Sequence, residues 1–198
     1  MQNRSKNFSL IIIAIGAVAF VYIVAKAAII VDKRQIGTDE GIYTNCVTTS
    51  PYIKQKASEL TSGCESELCE VQRLLDYVTV IPYQINHFNA HKPIQTIENN
   101  QGDCDDKSNL LISLLHGLGK EAYLVLVPEH IFVIVSIGDK QLAPKKGIRI
   151  DGKKYYILES TAEGSKVGYP LRYRLSDIEM IFDPFINEKL DYRKLEYR

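Results

Sequence analysis

Hydrophobic and polar positions are patterned in three ways along this chain, and each pattern predicts a different kind of element. The first is an unbroken apolar run. Residues 8–25, FSLIIIAIGAVAFVYIVA, carry no charge, and Arg4 and Lys6 precede them. Lys26 interrupts, and 27-AAIIV-31 resumes before Asp32, Lys33 and Arg34. A helix of roughly 20 apolar residues spans a bilayer, and a lysine near its end snorkels to the interface. The run is apolar on all sides, unlike a core helix with one buried face. We therefore expect residues 1–34 to be an N-terminal transmembrane anchor, touching the membrane through residues 8–31. The alternative is a cleaved signal segment, because Ala25-Lys26-Ala27 resembles an A-x-A cleavage site. Basic residues flank the run on both sides and leave its orientation open. The expected arrangement is a single-pass membrane protein with its domain outside the cytoplasm, or a secreted protein if the segment is cleaved.

The second pattern is helical spacing. Residues 35–62 read as a linker and a short helix. Ser50-Pro51 is a helix start, a capping serine with proline at the first helical position, and the helix should run to about Leu60, closed by Gly63. Leu68, Val71, Leu74, Leu75 and Val78 give one apolar face to a second helix over 65–80, which Pro82 ends. Residues 82–100 look irregular and polar. Asp103 then caps a helix starting at Cys104, with Leu111, Leu114, Leu115 and Leu118 as its buried stripe and Gly119 as its stop. Cys104 and Leu111 are seven apart, so the thiol lies at the end of that stripe and faces the core.

The third pattern is that of strands. Residues 121-EAYLVLV-127 and 131-IFVIVSI-137 predict two of them. Residues 147-GIRI-150 and 153-KKYYILES-160 flank Asp151-Gly152, a strong hairpin signal. The tail from about 170 should add a short extension of the sheet and a terminal helix. Helices followed by antiparallel strands define an α+β domain over 63–198.

Composition narrows the function. The 198 residues hold 24 lysines and arginines against 24 acids, for no net charge. A neutral chain does not bind nucleic acid through a basic face. Four cysteines are present, Cys46, Cys64, Cys69 and Cys104. In an oxidising compartment Cys46 would pair with Cys64 or Cys69. A zinc site is poorly supported, since there is no second C-x-x-C pair and the histidines are scattered. Cys104 stands apart from the cluster.

A thiol nucleophile needs a base and a group that orients the base. His130 begins a strand and Glu159 ends one. If those strands pair antiparallel, the two side chains come together, and the helix N-terminus carrying Cys104 would pack against that end of the sheet. A helix N-terminus and an imidazolium lower a thiol pKa. Asp103, Asp105 and Asp106 oppose that effect.

The stretch 101-QGDCDDKSNLLISLLHGLGKEAYLVLV-127, with 130-HIFVIV-135 and 155-YYILEST-161, resembles the transglutaminase-like superfamily. Its G-D-C-D-D-K string, its L-G helix ending and its strand-initial histidine carry the likeness, which covers about residues 65–165. The resemblance implies a papain-like core: N-terminal helices, a cysteine on a helix N-terminus, and an antiparallel sheet packed against it. It implies Cys104 as nucleophile, His130 as general base and Glu159 as orienting acid. Glu159 stands where aspartate is usual, and Phe132 where tryptophan is often found. The implied chemistry is acyl transfer at peptide or glutamine-type amides of a protein or peptide substrate, with protease or amidase favoured over crosslinker. Gln84 is the candidate second oxyanion donor, with Tyr83 or Asn86 as alternatives. No cofactor is required. Some exported relatives bind calcium near the cysteine, and Asp103 and Asp105 are the residues to do so here. The competing expectation is a catalytically silent domain of this type, acting as an anchored binding or assembly module.

Overall fold

The structure, a computed structural model, describes residues 2–38, 41–86 and 90–198, with the backbone alone for residues 2–11, 29–33, 38 and 41. It divides into two units, residues 1–35 and 36–198.

The first unit is helix α1, Gln2–Arg34. Every described side chain from Ile12 to Ala28 is exposed, Phe20 at 67% and Val18 at 70% among them. Among the described residues no helix is long and apolar enough to cross a membrane. The expected span is therefore not found. The apolar run of the sequence begins at Phe8, and the side chains of residues 8–11 lie outside the described residues.

In the second unit the expected linker is structured. Strands β1 (Gln35–Thr38) and β2 (Gly41–Thr44) form a two-stranded ladder. Helix α2 (Pro51–Leu60) follows, with Ser50 accepting the Ile53 N–H as its cap. Tyr43, Ile53 and Ala57 are core residues, so the packed domain starts well before residue 63. Helix α3 spans Glu67–Thr79 and buries Val71, Leu74, Leu75 and Val78 as the spacing predicts. Between them Cys64 and Cys69 are joined, with Cα atoms 5.5 Å apart. This corrects the expected pairing with Cys46. The turn around Ser66, the cap of α3, brings the two cysteines within disulfide range, whereas the Cys46 thiol is buried and donates to the Ala90 carbonyl.

Helix α4 (Pro93–Asn99) lies inside the stretch expected to be irregular. Pro93 supplies the first helical position, and the Gln95 side chain accepts the Lys92 N–H. Helix α5 runs Cys104–Gly117 behind its Asp103 cap, and Gly119 takes φ +72° just beyond it.

Strands β3 (Glu121–Val127), β4 (His130–Ser136), β5 (Ile148–Ile150), β6 (Lys153–Leu158), β7 (Met180–Asp183), β8 (Glu188–Lys189) and β9 (Leu195–Tyr197) form one sheet. Its order is β8-β7-β3-β4-β6-β5-β9, and each adjacent pair is antiparallel. Asp151 and Gly152 turn the β5–β6 hairpin with positive φ at both residues, as the sequence predicts. The expected terminal helix is absent from the tail. Leu190, Tyr192, Leu195 and Tyr197 instead pack against the sheet, and Leu195–Tyr197 pairs with β5.

Both faces of the sheet are covered. Leu124, Leu126, Ile131, Val133 and Val135 pack with α2, α3 and α5. Val125, Val127, Phe132 and Ile134 point the other way, toward the segment from Tyr169 to Tyr197. Burial on both sides explains why β3 and β4 read as nearly continuous apolar runs rather than alternating ones.

Candidate functional site

The string 102-GDCDDK-107 opens α5, and its residues have separate tasks. Gly102 bridges to Tyr83 on a parallel segment: its N–H donates to the Pro82 carbonyl, and its own carbonyl accepts the Gln84 N–H. A Cβ at this position would stand 2.7 Å from Asp106 Cβ, so the close approach requires glycine. Asp103 accepts the Asp106 N–H on Oδ1 at 3.2 Å and the Asn86 N–H on Oδ2 at 3.1 Å. Asp106 is fully buried. Its Oδ1 accepts the His91 backbone N–H at 2.6 Å, and its Oδ2 lies at ion-pair distance, 3.1 Å, from His91 Nδ1. Asp103 and Asp106 thus hold the chain at Asn86 and at His91. Lys107 is 1% exposed. Its Nζ donates to the Thr79 carbonyl at 3.1 Å and the Ile81 carbonyl at 2.8 Å, which caps the end of α3 with a buried cation.

Cys104 is half-buried and packs against the core on the α5 side. Its Sγ donates to Asp105 Oδ1 at 3.6 Å. Burial, then the charges of Asp105 and Asp103, push the thiol up to about 12. The same crowding lifts the Asp105 carboxyl to about 6, chiefly through burial and then through Asp103. Burial and the neighbouring acids thus disfavour the thiolate, against the helix N-terminus that favours it.

His130 follows a tight turn in which Glu129 takes φ +57°. Its Nε2 is 2.9 Å from Glu159 Oε2. The strand register accounts for this contact. Val133 stands opposite Leu158 and Ile134 opposite Ile157. One further step sets Glu159 against Phe132, two residues from His130 and on the same face. The other carboxylate oxygen, Oε1, accepts the Thr161 N–H at 3.1 Å and the Thr161 hydroxyl at 2.6 Å. Burial alone would raise the Glu159 carboxyl. The His130 hydrogen bond and charge, with the Thr161 bonds, outweigh burial and hold it below the usual range.

The structure thus joins His130 to Glu159 directly, while Cys104 approaches the same end of the sheet from the α5 side. Ser108, one helical turn after Cys104, fixes that approach. Its hydroxyl donates to the Ile131 carbonyl at 3.2 Å and lies 3.0 Å from Ser160 Oγ. Ile131 and Ser160 are the chain neighbours of His130 and Glu159. Tyr173 stacks on the His130 ring with centroids 6.2 Å apart. Burial raises the Tyr173 hydroxyl, and the nearby Glu159 carboxylate raises it further. Neither Ser108 nor Tyr173 was singled out from sequence. A serine four residues after the cysteine, on an otherwise leucine-rich buried face, was the available signal.

Of the oxyanion candidates, Gln84 and Asn86 donate their backbone N–H groups to Gly102 and Asp103. Gln84 is exposed, so its carboxamide is the donor it offers. Burial raises the Tyr83 hydroxyl, and the neighbouring acids Asp103 and Asp105 add to the effect. The expected calcium ligands do not fit a calcium cage. Both Asp103 oxygens already accept backbone N–H groups, Asp105 accepts the thiol, and no cluster of three or more potential ligands occurs among the described residues.

Comparison with known proteins agrees with this core. Residues 54–131 match the family model of the transglutaminase-like superfamily core. The match runs from α2 into β4 and includes Cys104 and His130, so the likeness to that superfamily extends over this part of the chain. Two solved structures are similar at low identity. A proposed cysteine protease from Cytophaga hutchinsonii is 16% identical with a TM-score of 0.44, over 74% of this chain and 50% of that one. A proposed protease from Parabacteroides distasonis is 12% identical with a TM-score of 0.47, over 71% of this chain and 27% of that one. The chain thus spans half or less of either protein's length. No curated protein matches it.

Proposed function

We propose that this chain is a thiol hydrolase acting at peptide or glutamine-type amides, with Cys104 as nucleophile, His130 as general base and Glu159 as orienting acid. The observation that carries this reading is the His130–Glu159 bond. Glu159 is anchored through Thr161 on one oxygen and offers the other to Nε2. That fixes the tautomer with the proton on Nε2 and leaves Nδ1 to accept one.

The thiol is neutral at rest, so proton transfer accompanies attack. Sγ turns from Asp105 toward Nδ1 and adds to the carbonyl carbon as its proton passes to His130. The Cys104 backbone N–H belongs to the first turn of α5, where no helical carbonyl is available, and it suits a developing oxyanion. The Gln84 carboxamide is the preferred second donor. When the tetrahedral adduct collapses, the C–N bond breaks, His130 returns the proton to the leaving amine, and an acyl-thioester remains. Water activated by His130 then releases the acid and regenerates the thiol. An amine in place of water would give transfer. Residues 8–31 hold the enzyme at a membrane, with the domain outside the cytoplasm. The exposed apolar side chains among the described residues of α1, Ile12 to Val24, support that part of the reading.

The second reading is a silent binding module, and the Cys104–Asp105 hydrogen bond favours it. Acylation separates the two. The full chain in detergent, treated with 4-nitrophenyl acetate, should gain one acetyl group on Cys104 by mass spectrometry. Cys104→Ser should abolish the adduct, and His130→Ala should slow it by about 10²–10⁴-fold. If the wild type gains no adduct, the binding module becomes the better account.

A further inference from the structure

A cavity of about 180 Å³ opens beside the His130–Glu159 pair, on the sheet face away from α5. Phe132 lines one side, and the segment 169-YPLRY-173 forms the opposite wall. This volume is below the roughly 300 Å³ at which small-molecule sites begin. It suits one side chain of a longer substrate better than a cofactor.

The wall is built rigidly. The Tyr169 N–H donates to the Ile157 carbonyl at 3.0 Å, and Pro170 restricts the next backbone angle. The Leu171 N–H donates to the Tyr197 hydroxyl at 3.0 Å. Tyr173 stacks on His130 and lies nearly parallel to Phe132, 12° off with centroids 6.4 Å apart. Arg172 rests its guanidinium over the Tyr169 ring, 5.0 Å from the centroid.

Arg172 is the feature this arrangement leaves unused. Among the described residues it is the only lysine or arginine lining the cavity, and no carboxylate pairs with it. The one acid in the lining, Glu159, is already engaged by His130 and Thr161. Stacking on Tyr169 uses the face of the guanidinium and leaves its in-plane N–H donors free. That is the geometry in which arginine grips a carboxylate with two parallel hydrogen bonds.

We propose that this cavity is a substrate subsite for an acidic residue close to the scissile amide, and that Arg172 reads its carboxylate. The inference rests on the thiol-hydrolase reading for its orientation, and it names the substrate class of the same site: an acidic peptide. The rings of Phe132, Tyr169 and Tyr173 take the aliphatic part of the side chain, and Arg172 takes the charge.

Binding tests this without needing turnover. Full-length Cys104→Ala in detergent is titrated with fluorescent capped hexapeptides that carry a central glutamine. Glutamate, glutamine or lysine is scanned through the two positions on either side. At one position the glutamate peptide should bind about tenfold tighter than its glutamine counterpart, as one charge-assisted pair predicts. Arg172→Gln should erase that difference, and Arg172→Glu should turn the preference to lysine. A purely structural role for Arg172 would not reverse the preference. Equal affinities across the scan, a preference that survives Arg172→Gln, or binding by none of the peptides would each overturn the subsite. Acid-selective binding together with no acylation of the wild type would instead keep the subsite and remove the hydrolase reading.

Discussion

Asp105, after burial itself, is the main influence against ionisation of the Cys104 thiol. It accepts the thiol hydrogen bond and places its charge beside the sulfur. Replacing it with asparagine removes that charge, so Asp105→Asn should move the pH profile of Cys104 alkylation by iodoacetamide to lower pH. The same substitution makes a stability prediction with a definite sign. The folded protein holds the Asp105 proton up to about pH 6, against about 3.9 for an ordinary aspartate. Its contribution is therefore fully present below about pH 4 and lost as pH rises through 6. Asp105→Asn should be more stable than wild type at pH 7.5, and the gap should close toward pH 4 in denaturant unfolding. Glu159 has the opposite sign. Its carboxyl is held low, so its contribution is present above the usual carboxylate range and fades as pH falls. The Asp105 charge thus works against both the thiolate and the fold, whereas the Glu159 charge supports the fold.

Among the elements, one buried ammonium adds a polar tie to the apolar join between α3 and α5. Lys107→Met keeps the aliphatic stem but leaves the Thr79 and Ile81 carbonyls without their donor. The expected cost is about 1–3 kcal/mol, read as a lower midpoint in urea. The elements also differ in how legible they were in the sequence. Helices α3 and α5 and strands β3 to β6 follow from apolar spacing and from caps and turns that local chemistry fixes. Helix α4 was missed because it is short and buries only Pro93 and Thr96, too few residues to show a period. The tail was misread because its charges suggested a helix, while the positions that pack alternate as strand residues do. Cys104, His130 and Glu159 stood out because each sits at the end of an element, where a reactive side chain can face open space. Ser108, Tyr173 and Arg172 did not. Their partners lie far along the chain, and only the folded sheet brings them together.

On the scale of the whole molecule, the chain carries a helix whose described apolar side chains from Ile12 to Val24 are exposed, and a domain that buries both faces of its sheet. A helix of this kind needs an apolar surrounding. The full chain should therefore float with phosphatidylcholine vesicles on a density gradient, and a fragment from Ile36 onward should remain at the bottom. If both behave alike, residues 8–31 are not the anchor.

The sheet edge at the carboxyl-terminal end has a separate consequence. Tyr197 is two roles in one residue: its backbone belongs to the strand paired with β5, and its hydroxyl steadies Leu171 in the wall beside Arg172. Arg198 and Gly147 exchange backbone hydrogen bonds next to it. Removing the Tyr197 hydroxyl, as Tyr197→Phe, takes away a prop of the wall and leaves the cysteine, the histidine and the glutamate where they are, so under the proposed subsite it should blur which peptides bind without slowing acylation.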